Sequence, residues 1–560
     1  MNKQLCTGQE TIWTWALTGL ATAVMATLSS AQVLTFTDQT DAAGLTSSQI
    51  SPLGPPTNDD IGGVAVADFN RDGWQDIFLP MLGSAPDRLF INNADGTFTD
   101  RATEWGVDAT HIGGGPAIGD YDNDGLLDMF LASHGTSTSY RPDAHRLYRN
   151  LGNSFEDVAD EAGVRMTSPI AYDGFGAVFG DADLDGDLDL FVTGWQILSD
   201  GNRYFLNNGN GTFTDVTSTH IDPATNLIEV RGLSPQFVDM DGDRYPELLI
   251  AGDFGTSRYL INNGDGTFLE ATAFSGTGLD DYGMGQCVGD FNRDGQLDWY
   301  VTSIYGFWHN TFALGNMLYQ GLGSHVYEQE GDTAGVDEGG WGWGATAVDL
   351  DHDSDLDIVA NNGWPQATWV DQPLYVFLSK FPLDRFEESG ESCNIAHVCN
   401  GRGLAQLDYD NDGDQDLLVC ALDEPFKLFR NELTGDSTNW LRVKLDTQGA
   451  DHIAPDGFGS KIEVTADGVT QLDIVNAGAS FLSQSEITSH FGLADALTVE
   501  SVRVTWPDGH VTLLEQHPHA TYEPNKTLTI GYDGPGGLTG EASRRLTPVV
   551  SSPPGPPVTQ

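Results

Sequence analysis

The sequence predicts an all-β protein: a seven-bladed β-propeller followed by a small β-rich C-terminal domain. Three observations predict it. A nine-residue pattern, Asp-x-Asp/Asn-x-Asp-Gly-x-x-Asp, begins at Asp68, Asp120, Asp181, Asp239, Asp290, Asp349 and Asp408, with successive starts 52, 61, 58, 51, 59 and 59 residues apart. Repetition at a near-constant period is the mark of an array of like structural units. Each copy sits among short apolar runs and Asn-Gly or Asp-Gly turns, the strongest short-range hairpin signal. Finally, 67 Gly against 25 Pro, with 39% hydrophobic residues, favours many turns and strands around a real core.

Within each unit the elements follow in a fixed order. A Gly-led apolar stretch such as Gly62–Ala67 or Gly283–Gly289 comes first, then the Asp-rich loop. An apolar second strand follows, as in Ile77-Phe78-Leu79 or Leu248-Leu249-Ile250. The third strand reads Leu89-Phe90-Ile91-Asn92-Asn93 or Tyr259-Leu260-Ile261-Asn262-Asn263. A turn leads to the fourth, Gly96-Thr97-Phe98-Thr99-Asp100 or Gly211-Thr212-Phe213-Thr214-Asp215. Four short strands per unit, seven times over, make a propeller. A row of separate sandwiches is the alternative, but each unit is too small for a two-sheet core of its own. The last unit lacks a Gly-Thr-Phe strand before the chain changes character. Leu34-Thr35-Phe36-Thr37-Asp38 matches that strand, so the N-terminal segment is expected to close the ring against Lys427–Phe429.

The spacing inside the loop has a chemical reading. Carboxylates at positions 1, 3 and 5 turn inward when the chain curls around a hard cation. Position 9 offers another carboxylate, and Gly at position 6 permits the turn. An all-oxygen, multidentate set suits Ca²⁺. The candidate ligands are Asp68, Asn70, Asp72 and Asp76; Asp120, Asp122, Asp124 and Asp128; Asp181, Asp183, Asp185 and Asp189; and Asp239, Asp241, Asp243 and Glu247. The remaining loops contribute Asp290, Asn292, Asp294 and Asp298; Asp349, Asp351, Asp353 and Asp357; and Asp408, Asp410, Asp412 and Asp416. Up to seven Ca²⁺ are expected. The fourth and sixth loops are irregular, with Arg244 and Ser354 at the Gly position, and are expected to bind more weakly. A solvated Asp-rich hairpin is the bland alternative, but repeated carboxylate clusters repel themselves without a cation.

Charge narrows the function. With 25 basic and 82 acidic residues the net charge is −57, which excludes a basic nucleic-acid footprint and disfavours an anionic membrane surface. Lys3, the apolar run Ile12–Leu28 and Ser29-Ser30-Ala31 read as a cleaved signal peptide over residues 1–31, a retained anchor being the alternative. The expected location is secreted and extracellular, with the periplasm or cell surface as alternatives and no membrane span after signal removal. Cys393 and Cys399 are spaced to bridge, or all four cysteines after the signal stay reduced. No nucleophile elbow, HExxH or phosphate loop is present. Long loops after the second strands gather aromatic and polar residues on the face opposite the Asp loops. His134, Trp195, Trp308 and Trp364 are the candidate ligand face there.

These loops and their apolar flanks resemble the FG-GAP/VCBS repeats of integrin α-subunit-type propellers, over residues 33–433. The resemblance implies calcium between the first and second strands of each blade. Beyond Asn431, the segments Ser480-Phe481-Leu482-Ser483-Gln484-Ser485, His490-Phe491-Gly492-Leu493 and Trp506-Pro507-Asp508-Gly509 resemble the ASPIC/UnbV domain. Together the two parts resemble the cartilage-acidic-protein-like family, which implies an extracellular calcium-binding protein rather than a reaction. The expected division is signal peptide 1–31, propeller 32–433, ASPIC/UnbV domain 434–533 and a disordered Pro/Gly-rich tail 534–560. The expected function is recognition or adhesion through an extracellular protein or glycan ligand, without catalysis. A propeller-based polysaccharide lyase or hydrolase is the alternative. His490 lies in an apolar segment and reads as structural.

Overall fold

A computed structural model of the chain describes residues 32–48, 62–83, 85–135, 145–166, 174–196, 201–308, 311–365, 369–370, 372–422, 425–435, 437–476, 479–516 and 522–535. The expected signal peptide and all but the first two residues of the expected tail lie outside this set.

Seven four-stranded antiparallel blades follow one another along the chain, the first extended to six strands by Ser483–Gln484, which pairs parallel to Ala65–Ala67, and Ala479–Ser480. The first consists of Ala65–Ala67, Asp76–Leu79, Arg88–Asn92 and Phe98–Asp100, paired in that order. Its register sets Ala67 against Asp76 and Ala65 against Phe78, so the Asp loop forms the connection between the two innermost strands. Both inner strands are buried on both faces, which explains their unbroken apolar runs. The fifth blade carries an extra hairpin, Tyr305–Trp308 with Thr311–Leu314, between its second and third strands. After the fourth strand most blades add one helical turn, as at Ala159–Ala162, stopped by Gly163 at φ 80°. A left-handed residue there is cheap only for glycine.

The ring closes with the N-terminal segment. Phe36–Asp38 pairs with the third strand of the last blade, Phe36 opposite Asn431 and Asp38 opposite Phe429. This is two residues further along than expected from the sequence. Phe36 is fully buried, and Lys427 reaches Asp38 at 2.7 Å.

The C-terminal module has two sheets over their own core. One joins Ser489–Ala494, Asn439–Asp446 and Lys526–Gly531; the other joins Val469–Ile474, Lys461–Ala466, Val499–Thr505 and Val511–Glu515. Strict alternation in Lys461–Ala466 turns Ile462, Val464 and Ala466 inward onto Val502, Val504 and Trp506. The expected hairpin is present, with Trp506 donating to the His510 carbonyl across Pro507-Asp508-Gly509.

Between those sheets the chain leaves the module and runs down the propeller axis. The short strands Ala479–Ser480 and Ser483–Gln484 flank Phe481 and Leu482 at the tip. The Ser483 hydroxyl accepts from Val64 N, and Gln484 exchanges bonds with Ile118 N and O. The Ser480 hydroxyl accepts from Ala345 N, and that of Ser485 from Gln406 N. These partners lie on the innermost strands of blades one, two, six and seven. The axis has room because the innermost strands start with glycine. A Cβ on Gly63 would stand 1.6 Å from the Leu482 carbonyl oxygen, and one on Gly403 would stand 2.3 Å from Ser483 Oγ. Among the described residues no helix is long and apolar enough to cross a membrane. No disulfide joins Cys287, Cys393, Cys399 and Cys420, which are buried thiols, so the bridge left open by the sequence is not formed.

Replacing Phe36 by Ala removes a fully buried ring from the closing strand and is expected to cost about 3–5 kcal/mol. The measurement is the midpoint of denaturant unfolding. A variant that unfolds with the wild-type midpoint would show that closure lies outside the cooperative unit.

Candidate metal centres in the Asp loops

All seven loops fold onto their own carboxylates. At position 1, one oxygen accepts from the backbone N–H of position 5 and the other from that of position 6. In the first loop these bonds run from Asp72 N and Gly73 N to Asp68, both 2.9 Å. The same pair forms at Asp120, Asp181, Asp239, Asp290, Asp349 and Asp408. The turn requires a left-handed backbone at position 6. Gly125 meets it at φ 91°, whereas Arg244 and Ser354 adopt it at φ 85° and 74° with a side chain.

Position 9 does something the sequence reading did not anticipate. Asp128 accepts from Tyr121 N at position 2 and from Asn150 N on the third strand. Asp76, Asp189, Asp298, Asp357 and Asp416 make the same two bonds. This carboxylate is first a clamp joining the loop to the third strand. A metal would share oxygens already committed to the backbone.

Positions 1, 3 and 5 do converge. Ligand atoms of Asp181, Asp183 and Asp185, of Asp239, Asp241 and Asp243, and of Asp349, Asp351 and Asp353 lie within 4.8 Å of one another. Asp120, Asp122 and Asp128 form a similar group. The irregular fourth and sixth loops therefore keep their acidic clusters. In the second loop Asp122 Oδ1 is buried and has no hydrogen-bond partner. Burial, with the neighbouring Asp122, Asp120 and Asp124 charges, pushes Asp128 up to about 9, while Asp120 rises to about 7 through burial. Burial and like charges raise Asp181 and Asp349 well above the carboxylate range. Burial outweighs whatever positive charge reaches these groups.

The seventh loop finds its positive charge within the chain. Arg430 pairs with Asp410 at 2.7 Å and Asp412 at 2.6 Å. Arg442, from the C-terminal module, reaches Asp408 at 2.9 Å and Glu486 with its other arm. Elsewhere the module also leans on the loop face. Arg71 of the first loop makes two 2.9 Å bonds to Asp456, and Arg244 donates to the Pro507 carbonyl. Asn70 and Asn292 each donate to the position 5 carboxylate of their own loop, Asp72 and Asp294. His490 lies inside the module, its ring 4.9 Å from that of His352 in the sixth loop.

Two recurring contacts between blades were missed in the sequence. The last Asn of the third strand donates to the position 2 carbonyl of the preceding loop: Asn92 to Tyr409, Asn150 to Phe69, Asn207 to Tyr121, Asn262 to Ala182 and Asn431 to Leu350, at 2.8–2.9 Å. The position 2 side chain meets the fourth-strand aromatic ring of the next blade. Phe69 packs on Phe155 at 5.6 Å, Tyr121 on Phe213 at 5.7 Å and Phe291 on Phe386 at 6.1 Å. The signal was present, since an Asn ends five third strands and an aromatic residue starts all seven outermost strands, the closing Phe36–Asp38 included.

On the opposite face, Trp308, Trp341, Trp343, Trp364 and Trp369 pack together over the tip of the axial segment. Trp364 stacks on Trp341 at 4.5 Å, Trp308 meets Trp341 edge-on at 4.7 Å, and Phe481 touches Trp343 at 4.8 Å. Trp195 stands apart, under Arg231 at 4.5 Å and hydrogen-bonded to Asp253. Trp195, Trp308 and Trp364 are half-buried. The side chain of His134 lies outside the described residues.

Asn150→Leu removes donors from two buried carbonyls, Phe69 O and Leu127 O, and is expected to cost about 1–3 kcal/mol per orphaned group in an unfolding measurement. The loop carboxyls also set a pH dependence. Asp120 and Asp128 have folded-state values above the ordinary carboxylate value, so the folded state holds extra protons between them. In metal-free buffer that penalty is absent near pH 4 and grows as pH rises through about 7 to 9. The dialysed protein is expected to melt lower at pH 8 than at pH 5.5, and an equal melt at both would refute the assignment.

The FG-GAP-like repeat model matches residues 81–131, 194–250 and 239–301, and the ASPIC and UnbV model matches 451–535. Cartilage acidic protein 1 of Homo sapiens is 25% identical over 508 residues, covering 84% of this chain and 72% of that protein. Its Xenopus tropicalis counterpart is 28% identical over 285 residues, 48% of this chain and 40% of that protein. Among solved structures, an Agrocybe aegerita lectin specific for non-reducing terminal N-acetylglucosamine is 17% identical with a TM-score of 0.35, covering 64% of this chain and 88% of that one. A rhamnogalacturonan lyase is 14% identical with a TM-score of 0.37, covering 69% and 74%. The chain thus joins FG-GAP-like repeats to an ASPIC/UnbV domain in one polypeptide, and across both it is similar to cartilage acidic protein 1.

Proposed function

We propose that this is a secreted, calcium-binding β-propeller protein of extracellular recognition or adhesion, without catalysis, whose ligand is an extracellular protein or glycan. In this reading the propeller spans 32–433 and the ASPIC/UnbV domain 434–533. The observation that carries it is the set of converging carboxylates, with a buried Asp122 oxygen that has no donor. Bound Ca²⁺ would supply the missing positive charge. The residues to hold it are above all the position 1, 3 and 5 groups of the third and sixth loops, and Asp120, Asp122 and Asp128 of the second. The seventh loop needs it least, because Arg430 and Arg442 already face its carboxylates.

Two further features bear on recognition. Residues 479–486 of the same chain enter the axial channel and narrow it to a pocket beside the inner strands, lined by Gln236, Gln286, Thr346 and Gln406. The face around the channel mouth carries exposed apolar side chains on the inserted hairpin, Phe307 at 75% and Leu314 at 60% exposure. Beside the Trp308 and Trp364 cluster they form an aromatic rim suited to a sugar ring or an apolar peptide side chain.

Calcium is expected to be structural. At tenfold excess over its dissociation constant, each independent site adds roughly 1.4 kcal/mol. Chelation should therefore lower the melting temperature by many degrees, and re-addition of Ca²⁺ should restore it. A melt indifferent to both would remove the calcium reading. Turnover on a panel of acidic and neutral glycans would remove the non-catalytic one.

A further inference from the structure

The fourth loop differs from the other six in a way that changes its metal chemistry. In the turn before the fourth strand, blades one, three and four place glycine in a left-handed conformation, at Gly96, Gly211 and Gly266, with φ of 82°, 78° and 72°. In blade four this turn residue stands over position 3 of the third loop. A Cβ on Gly266 would lie 3.0 Å from Asp183 Cβ. The fifth blade has His325 at this position, in the same left-handed conformation at φ 59°. Its imidazole is therefore delivered onto Asp241, with Nε2 3.0 Å from Asp241 Oδ2.

Two independent features complete the set. Glu247 replaces the usual Asp at position 9 and is 1% exposed. It accepts from Met240 N, but among the described residues it makes no bond to Asn262 N, the second contact that every other position 9 carboxylate makes to its third strand. This buried carboxylate is thus not held by its third strand, and it lies with Asp241 and His325 in a cluster whose ligand atoms are within 4.8 Å of one another. Behind the imidazole, Nδ1 is 3.1 Å from the Tyr259 hydroxyl, which is 3.1 Å from the Tyr327 hydroxyl. Without an ion, Nε2–H donates to Asp241; a bound cation would replace that proton, with Nδ1–H then donating to Tyr259, which donates on to Tyr327. A second-sphere hydrogen bond of this kind fixes the tautomer of a metal-ligating histidine.

We propose that the fourth loop is a mixed nitrogen–oxygen site for a divalent first-row transition ion, held by His325, Asp241 and Glu247 with Asp239 and Asp243 beside them. Imidazole with carboxylates favours such ions over Ca²⁺, which takes oxygen alone. The inference rests on the Asp loops being cation sites, and goes beyond that reading in the class of ion. The test uses the full chain in saturating CaCl₂ with Co²⁺ as an optical probe and Zn²⁺ as a competitor. The wild type is expected to take up one equivalent of Co²⁺ with visible d–d absorption, displaced by Zn²⁺ but not by Ca²⁺. His325→Gly puts there the residue that blades one, three and four carry, so it should fold and keep its calcium-dependent melt. It should lose Co²⁺ affinity at least about tenfold, and Tyr259→Phe should lose part of it. Equal Co²⁺ spectra and stoichiometry in wild type and His325→Gly, or displacement by Ca²⁺, would overturn the proposal. The calcium-dependent melt of the same samples reports on the loops in general, so the two readings fail separately.

Discussion

Every blade depends on a carboxylate that does not reach solvent. The position 9 side chain, Asp128 in the second blade, takes the N–H of position 2 with one oxygen and the N–H of the third strand with the other. Those donors would otherwise be buried and unpaired, at a cost of about 1–3 kcal/mol each. The position 1 carboxylate does the same for the two N–H groups that close the turn. One loop therefore ties together three strands of its own blade. Through Phe69 O and the Phe69 ring it also ties the next blade, at Asn150 and Phe155. The ring is held by a chain of such latches as much as by its apolar core.

Charge is the consequence of that design. Twenty-nine of the 82 acidic residues stand in seven nine-residue loops, and burial makes their charged forms costly. The chain answers in different ways at different loops. Arg430 and Arg442 face the seventh, Arg71 links the first to Asp456, and Arg293 of the fifth pairs with Asp355 of the sixth. Among the described residues no ion pair reaches the carboxylates of the second loop, where Arg71 donates to the Gly125 carbonyl instead and Asp122 keeps a buried oxygen without a donor, as Asp351 and Asp410 do in the sixth and seventh. Loops that look alike in sequence are thus unequal as cation sites.

The C-terminal module is part of the same electrostatic and packing scheme. Arg442 neutralises Asp408 and Glu486 together, and the segment that carries Glu486 is the one that descends the axis. Its Ser480, Ser483, Gln484 and Ser485 satisfy backbone groups of four blades that would otherwise face an open channel. Phe481 then supports the tryptophan cluster on the far face through Trp343. A change on the loop face has a packed route to the opposite mouth, through Arg442, Glu486 and the axial segment.

The sequence by itself determined the blade count, the strand order within a blade, the Asp loop between the two inner strands and the closing role of Phe36. Each is written as a local pattern: a fixed period, an apolar run, an Asp-Gly turn, a missing strand at one end matched at the other. It also contained the third-strand Asn and the fourth-strand aromatic residue, but not their partners, which lie on the neighbouring blade. Only the tertiary structure decided that position 9 serves the backbone first, that Arg442 enters the seventh loop, that His325 stands over the fourth, and that the Ser-Phe-Leu-Ser-Gln-Ser segment enters the axis. The physical reason is distance along the chain. Gln484 and Ile118 are 366 residues apart, and no periodicity records which buried N–H will meet which distant acceptor once the ring has closed.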